Sequence, residues 1–357
     1  MEYTYELIRS LNEEYSVKPL VTGFRVYTRE EQLKNAAKKL ESLNQKIQLR
    51  GLKVLEIGSG GGCLAYLLAE QYGCDVTGID IHKSNTWEEL QHKNLRFLEF
   101  NICEENILAG EEFDLIVSYV AWEHIKKPFE ALVQTKKLLK NDGKFYLYAW
   151  LYRSPMASHL YRNIFFPYPH LLFDDELVKK YALELGVEQS WIDSFYDCNK
   201  LTYAEYKEYF KLLGFKISDE YLKFRSLDVD FYERFEDKLG LYPVYDLTLD
   251  YFAVMLENDG GIGEMKPYGI GDIVIKENAC RLTGQEIEVK LPAIDKDLEY
   301  AWDILCNGEK IAYVKWGENS TLKYTPEKEG SYIFKSYIRK KGCNARTVRK
   351  SKEVIIR

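Results

Sequence analysis

The feature that most constrains this 357-residue chain is one short run, Glu56-Ile57-Gly58-Ser59-Gly60-Gly61-Gly62. It follows an apolar stretch, KVLEI, and precedes CLAYLLAEQYG, so it reads as the turn between a strand and a helix. Glycine lacks a Cβ, which permits a tight turn and lets a ligand approach the backbone. The helix start behind it offers free amides and the positive end of a dipole, suited to an anionic group. Asp80 ends the next strand-like segment, CDVTGID, where a carboxylate can accept both hydroxyls of a ribose. A dinucleotide fingerprint would need Gly or Ala where Cys63 stands, and no Walker lysine follows the loop. The pattern instead is GxGxG with an acid two residues before the first glycine. Loop and acid together predict a site for an adenosine-containing cofactor.

The surroundings support a doubly wound sheet. Residues 28–44 predict an amphipathic helix, with Thr28 and Glu31 spaced as a capping box. LRFLEFNI, FDLIVSYV and KFYLYAW read as further strands. KPFEALVQTKKLLKN reads as a helix with Pro128 in its first turn. Alternating strands and helices with apolar strands predict a parallel sheet covered on both faces. Residues 151–212 break the rhythm. They hold 14 aromatics in 62 residues, richer than the chain as a whole, and read as helices and loops inserted after the fifth strand. FKISDEYLKF and DLTLDYFAVML are strand-like again.

Residues 257–271 carry five glycines and a proline and predict a linker. Beyond it the period shortens to about two, in segments such as EIEVKL, LEYAWDIL, KIAYVKW and SYIFKSYI. Asn307-Gly308 between two of them is a hairpin-turn signal. The charge changes as well. The whole chain has 49 Lys and Arg against 56 Asp and Glu, net −7, yet residues 271–357 alone are net +4. The expected organisation is therefore an α/β domain over 1–256 with an inserted lid at 151–212, a linker at 257–271, and an all-β sandwich over 272–357.

The glycine run, Asp80 and the strand pattern resemble the class I S-adenosylmethionine-dependent methyltransferases of the small-molecule branch. The resemblance covers residues 50–150 and, more loosely, 213–256. It implies a mostly parallel seven-stranded sheet whose last strand is antiparallel, with S-adenosylmethionine as cofactor. By this resemblance the cofactor set is Glu56, Gly58, Ser59, Gly60, Gly62, Asp80, Ile81, Asn101, Ile102 and Tyr119. Asp80 would hold the ribose, Ile81 would pack on adenine, and Asn101 with Ile102 would meet the adenine edge. Glu56 would either brace the loop or meet the methionine amine. Asn141-Asp142-Gly143 departs mildly from the Pro-Gly or Gly-Gly turn usual before strand five. The segments LEYAWDILCNGEK and GSYIFKSYIRKKG resemble immunoglobulin-like, tyrosine-rich modules.

Three histidines are candidates around the acceptor. His124, just past the fourth strand, suits general-base work because its side chain titrates near neutrality. His159 and His170 lie in the aromatic segment SPMASHLYRNIFFPYPHLLF and are candidate acceptor contacts; the alternative is a small helical core. The expected activity is methyl transfer to a small-molecule or glycan-intermediate acceptor, most naturally at a hydroxyl. Two rival readings are a catalytically silent cofactor-binding protein whose sandwich binds a glycan or a partner protein, and an NAD(P)-dependent oxidoreductase.

The remaining expectations are exclusions. A net acidic chain is a poor nucleic-acid binder. No apolar run reaches the ~18 residues of a membrane span, and the N-terminus MEYTYELIRS shows no secretory signal. Seven widely spaced cysteines without a CxxC argue against a metal site or disulfide framework and for a reducing, cytoplasmic setting.

Overall fold

The computed structural model describes all residues except 1, 21–26, 105–107, 109, 158–159, 259–272, 276–281, 293–297 and 342–345. The chain divides into two compact units, Met1–Gly260 and Gly261–Arg357. Of the expected linker 257–271, only Glu257 and Asn258 lie within the described residues.

In the first unit, helices α1 (Tyr5–Ser16) and α2 (Arg29–Asn44) precede β1 (Lys53–Ile57), α3 (Cys63–Tyr72), β2 (Asp75–Asp80), β3 (Leu95–Glu99) and β4 (Phe113–Tyr119). Helix α4 (Pro128–Leu138) leads into β5 (Leu139–Trp150). Then come α5 (Pro169–Leu172), α6 (Asp175–Glu184), α7 (Gln189–Tyr196), α8 (Tyr203–Leu212) and β6 (Phe215–Phe224). Three short helices, α9 (Val229–Arg234), α10 (Glu236–Leu239) and α11 (Val244–Thr248), lead to β7 (Leu249–Asn258). The seven strands form one sheet in the order β3-β2-β1-β4-β5-β7-β6, with β7 antiparallel to both neighbours. This is the expected mostly parallel, doubly wound sheet with its last strand reversed. The strand order turns back between β1 and β4, which opens a crevice at their carboxyl ends.

Local chemistry sets the elements that frame the crevice. Thr28 and Glu31 form the capping box of α2. Gly73 ends α3 in the left-handed region, where glycine avoids the Cβ penalty. Helices α2 and α3 cover one face of the sheet, burying Ala36, Leu40, Leu43, Leu64 and Leu68 against Val54, Val76, Leu115 and Val117. The other face is covered by α4 and α8, which bury Leu132, Tyr206 and Phe210 against Leu55, Ile116, Phe145 and Phe252. Helix α8 thus belongs to the main core although it lies in the expected lid segment.

A third cluster has its own core. Ile8 and Leu11 of α1 pack with Leu160, Phe166, Val178 and Phe195, and with Phe231, Phe235 and Leu247. Three stretches far apart in sequence therefore build one helical cap. A clasp joins it to the sheet: the fully buried Asp250 of β7 accepts from Ser154 Oγ (2.9 Å) and Arg225 Nε (2.6 Å). A buried carboxylate is tolerable only when paired and hydrogen-bonded in this way.

The second unit is a β-sandwich. One sheet holds β8 (Val274–Ile275), β9 (Ile287–Lys290) and β12 (Thr321–Tyr324), ordered β12-β9-β8. The other holds β10 (Leu298–Cys306), β11 (Glu309–Gly317), β13 (Gly330–Lys340), β14 (Arg346–Lys350) and β15 (Val354–Ile356), ordered β11-β10-β13-β14 with β15 also on β13. Val289 and Leu322 from one sheet and Trp302, Phe334 and Ile338 from the other share a core. Asn307 (φ 50°) and Gly308 (φ 84°) turn between β10 and β11 in the left-handed conformation of a two-residue hairpin. The segment TVRKSKEVII forms two strands, β14 and β15, separated by residues 351–353, where the Ser351 amide bonds the carbonyl of Phe334.

Candidate functional site

The glycine run lies at the carboxyl end of β1, in the crevice. Gly58 has φ +77°, and a Cβ there would fall 2.2 Å from Ala121 Cβ, so the loop sits hard against the end of β4. Gly60 has φ +48°, and a Cβ there would meet nothing within 4 Å. The first glycine serves close packing; the second faces an open cradle. Gly62, also left-handed, precedes α3 and gives it no side-chain cap. Glu56 supplies one instead: its Oε2 accepts the Ala65 amide in the first turn (3.1 Å). Glu56 is buried, and that burial pushes its pKa up to about 8 against the opposing pull of Lys39 and the Ala65 amide. Ser59, also buried, donates through Oγ to the carbonyl of Glu56 (3.3 Å).

The carbonyls on the other side of the loop are pinned. Trp87 Nε1 donates to Gly60 O (2.9 Å), and Thr86 Oγ1 and Arg29 donate to Gly61 O (2.8 and 3.2 Å). Asp80, at the end of β2, accepts the Gly60 amide on Oδ2 (2.8 Å) and the His82 amide on Oδ1 (3.2 Å). Each carboxylate oxygen keeps acceptor capacity beyond one bond. Ile81 beside it is 57% exposed, an apolar surface at the rim of the crevice. Asn101 spends Oδ1 on the Cys103 amide (3.0 Å), forming the turn after β3, and the Ile102 side chain is buried in the core.

Tyr119 ends β4 on the face under α2. It stands 5.2 Å from Tyr146 and 6.0 Å from Tyr148, ring centre to ring centre, and Tyr148 is 4.7 Å from Tyr251. The rings of Tyr119, Tyr146 and Tyr148 floor an open cleft of about 560 Å³, walled by Lys38, Lys39 and Ser42 of α2 and by Val120, Trp150, Met156 and Tyr161. Lys39 Nζ lies 4.9 Å over the Tyr119 ring. Burial lowers its pKa, and the nearby Glu56 opposes that shift. Sequence reasoning missed Lys39, which is exposed but lies beside the buried stripe of α2, three residues after Ala36 and four before Leu43. Val120 adopts φ +55°, a strained conformation for a β-branched residue, of the kind that clusters at ligand sites.

His124 lies beyond this cleft, in a 3-10 turn, Trp122–His124. Its Nδ1 is 3.2 Å from the carbonyl of Ser194, and Cys198 Sγ is 3.8 Å away. A carbonyl partner makes Nδ1 the protonated nitrogen and puts the basic lone pair on Nε2. Burial lowers its pKa, so the ring stays neutral near pH 7. Its neighbour Glu123 is 4% exposed, and neither carboxyl oxygen has a hydrogen-bond partner of good geometry among the described residues. Burial pushes its pKa up to about 8. Glu123 faces a small cavity shared with Trp150, Tyr152, Cys198 and Lys200. His170 is part of the cap's core: Nε2 is 2.6 Å from Tyr152 O, and its ring meets Tyr152 and Phe195 edge-on. His159 lies outside the described residues.

The structure thus gathers Glu56, the glycine loop and Asp80 at one crevice, with Tyr119 in the adjoining cleft. It sets His124 and His170 apart from that cleft's walls.

Residues 55–147 match the methyltransferase domain family. That span runs from β1 through most of β5 and contains the loop, Asp80 and Tyr119. That span is similar to a methyltransferase domain, and the cofactor expected for it is S-adenosylmethionine. The residues present fit that group: an open cradle at Gly60, a carboxylate at the end of β2, and a lysine beside a largely protonated Glu56. Similar curated proteins include ubiquinone biosynthesis O-methyltransferases from Ruegeria sp. (34% identity, 26% of this chain and 39% of that protein) and Coxiella burnetii (32%, 30% and 47%). The chain spans less than half the length of these two relatives. Among solved structures, an S-adenosylmethionine-dependent methyltransferase from Mesorhizobium loti aligns with TM-score 0.42 at 17% identity, over 63% of this chain and 99% of that one. The Haemonchus contortus phosphoethanolamine N-methyltransferase 2, in complex with phosphomonomethylethanolamine and S-adenosylhomocysteine, aligns with TM-score 0.40 at 16% identity, over 62% and 52%. No helix among the described residues is long and apolar enough to cross a membrane.

Proposed function

We propose that the protein transfers the methyl group of S-adenosylmethionine to a hydroxyl of a small-molecule or glycan-intermediate acceptor, in a cleft closed by the helical cap. The observation that carries this reading is the tyrosine-floored cleft at the ends of β4 and β5, whose wall residue Val120 precedes Ala121, the residue packed against Gly58 of the glycine loop.

When bound, the cofactor supplies a methyl group already activated on a sulfonium. The chain's task is to hold, orient and exclude water. Asp80 would hold the ribose and the loop amides would line its path, with Ile81 against the adenine. Glu56, protonated near neutrality, leaves Lys39 with no carboxylate of its own among the described residues. Lys39 would therefore hold the cofactor's methionine carboxylate. The rings of Tyr119, Tyr148 and Trp150 offer flat apolar walls to an acceptor, and fixing it in line is worth up to roughly 7–11 kcal/mol of barrier. His124, neutral with its lone pair on Nε2 but beyond the cleft's walls, would take the hydroxyl proton from an acceptor that extends past them. The second unit binds a glycan or a protein partner.

Calorimetric titration with S-adenosylmethionine, S-adenosylhomocysteine and NAD tests the cofactor half: the two sulfur ligands bind and NAD does not. Absence of S-adenosylmethionine binding refutes the whole reading. Methyl incorporation from labelled cofactor into pools of hydroxylated metabolites and nucleotide sugars tests the acceptor half. Exclusive transfer to lipid or peptide refutes it.

A further inference from the structure

The second unit carries a feature that methyl transfer leaves unused. Strand β13 alternates: Tyr332, Phe334 and Ile338 enter the sandwich core, and Lys335, Tyr337 and Arg339 face outward. Pairing places Asp303 of β10 opposite Lys335, and Tyr313 of β11 opposite Asp303. On the other side Lys350 of β14 lies opposite Lys335.

Two carboxylates on this face are satisfied from within. Asp303 accepts from Tyr337 Oη (2.9 Å) and pairs with Lys310 (2.5 Å). Glu299 accepts from Arg339 Nε (2.8 Å), and the Arg339 guanidinium carbon lies over the Trp316 ring, 4.2 Å from its centre. These contacts fix the rings and leave the facing lysines over. Among the described residues no carboxylate lies within ion-pair distance of Lys335 or Lys350. Like charges directly opposite on one face of a sheet destabilise it, and a bound anion would remove that cost. Residues 335–357 carry nine Lys or Arg and a single Glu.

We infer that this outer face, with Lys335 and Lys350 beside the rings of Tyr313 and Tyr337, binds an acidic oligosaccharide. The inference extends the reading of the second unit as a binding module and does not depend on methyl transfer. The lysines, with no carboxylate at ion-pair distance among the described residues, call for carboxylate or phosphate groups; Lys335 Nζ lies 4.8 Å over the Tyr337 ring and Lys310 Nζ 4.7 Å over that of Tyr313, so the rings would meet pyranose rings by their remaining exposed surface.

The test uses the full chain and three probes: hexagalacturonate, maltohexaose and a twelve-residue oligothymidylate. Titration at low salt should give hexagalacturonate an affinity about tenfold or more above maltohexaose, a gap that narrows with added salt as charge contacts are screened. The double variant Lys335→Ala/Lys350→Ala should lose about tenfold in hexagalacturonate affinity, as should Tyr313→Ala. All three side chains are at the surface, and an unchanged calorimetric melting transition of the second unit checks that each variant is folded. No binding of hexagalacturonate overturns the inference. So does equal affinity for maltohexaose, tighter binding of oligothymidylate, or an affinity untouched by the lysine substitutions. Failure of S-adenosylhomocysteine to bind while hexagalacturonate still does would remove the transferase reading and leave this one standing.

Discussion

Two glycines two residues apart, Gly58 and Gly60, make the sharpest test of the cofactor loop. At Gly58 an alanine meets two costs. Its φ of +77° is left-handed, worth roughly 1–2 kcal/mol for a residue with a Cβ, and the added methyl would lie 2.2 Å from Ala121 Cβ. Forcing a methyl into packed space costs about 1–3 kcal/mol. The lower entropy of the unfolded chain returns about 0.4–1 kcal/mol, so Gly58→Ala should destabilise the first unit by about 2–4 kcal/mol. At Gly60 the left-handed cost remains, but a Cβ meets nothing within 4 Å. The net loss there should be about 1 kcal/mol or less. For a unit of this size 1 kcal/mol is about 2–4 °C in the unfolding midpoint. Gly58→Ala should therefore melt about 6–12 °C lower, and Gly60→Ala within about 4 °C of wild type. Binding should invert the order of interest: Gly60→Ala, although well folded, puts a methyl into the cradle and should lose S-adenosylhomocysteine affinity by about tenfold or more. Calorimetric melting and titration of both variants decide it. If Gly60→Ala binds like wild type, the open side of Gly60 is not where the cofactor lies.

Three further outcomes are expected. Asp80→Ala should abolish the S-adenosylhomocysteine thermal shift, and Asp80→Asn, which keeps one acceptor oxygen for the Gly60 amide, should retain the loop and melt near wild type without ligand; equal binding by Asp80→Ala would refute the ribose role. Glu123, with a folded pKa of about 8 against an ordinary 4.5, favours the native state while protonated; that contribution is full below about pH 4.5 and drains away as pH rises toward 8. Glu123→Gln should thus match wild type near pH 4.5 and exceed its stability by up to about 4 kcal/mol at pH 8, read from denaturant unfolding at the two pH values; a pH-independent difference would contradict the buried, unpartnered carboxyl. His124→Asn should slow methyl transfer to any acceptor found by about 10²–10⁴-fold, and the wild-type rate should hold to a pH below the usual histidine range because burial lowers this pKa; an unchanged rate would free His124 of the base role.

The sequence carried those features whose cause is local. A strand, a run of glycines and a helix can be read from adjacent residues, and left-handed backbone at Gly58, Gly60 and Gly62 is a local demand that only glycine meets cheaply. Asp80 followed from the length of one strand–helix–strand unit. The capping box of α2, the Pro128 helix start and the Asn307-Gly308 hairpin have the same origin, as does the change of period that announced the second unit. Only tertiary structure decided what depends on segments distant in the chain. Helix α1 joins the cap because Ile8 and Leu11 find their apolar partners some 150–240 residues away. Trp87 and Arg29 pin the loop from elements whose own sequences give no sign of it. Lys39 looked like one more charge on an exposed helix until α2 packed on the sheet and turned it over Tyr119. Glu123 and His124 are neighbours in sequence, yet packing buried one without a side-chain hydrogen-bond partner of good geometry among the described residues and gave the other a carbonyl. Backbone preference acts within a few residues and is written there; burial and charge environment are set by whatever the fold brings alongside.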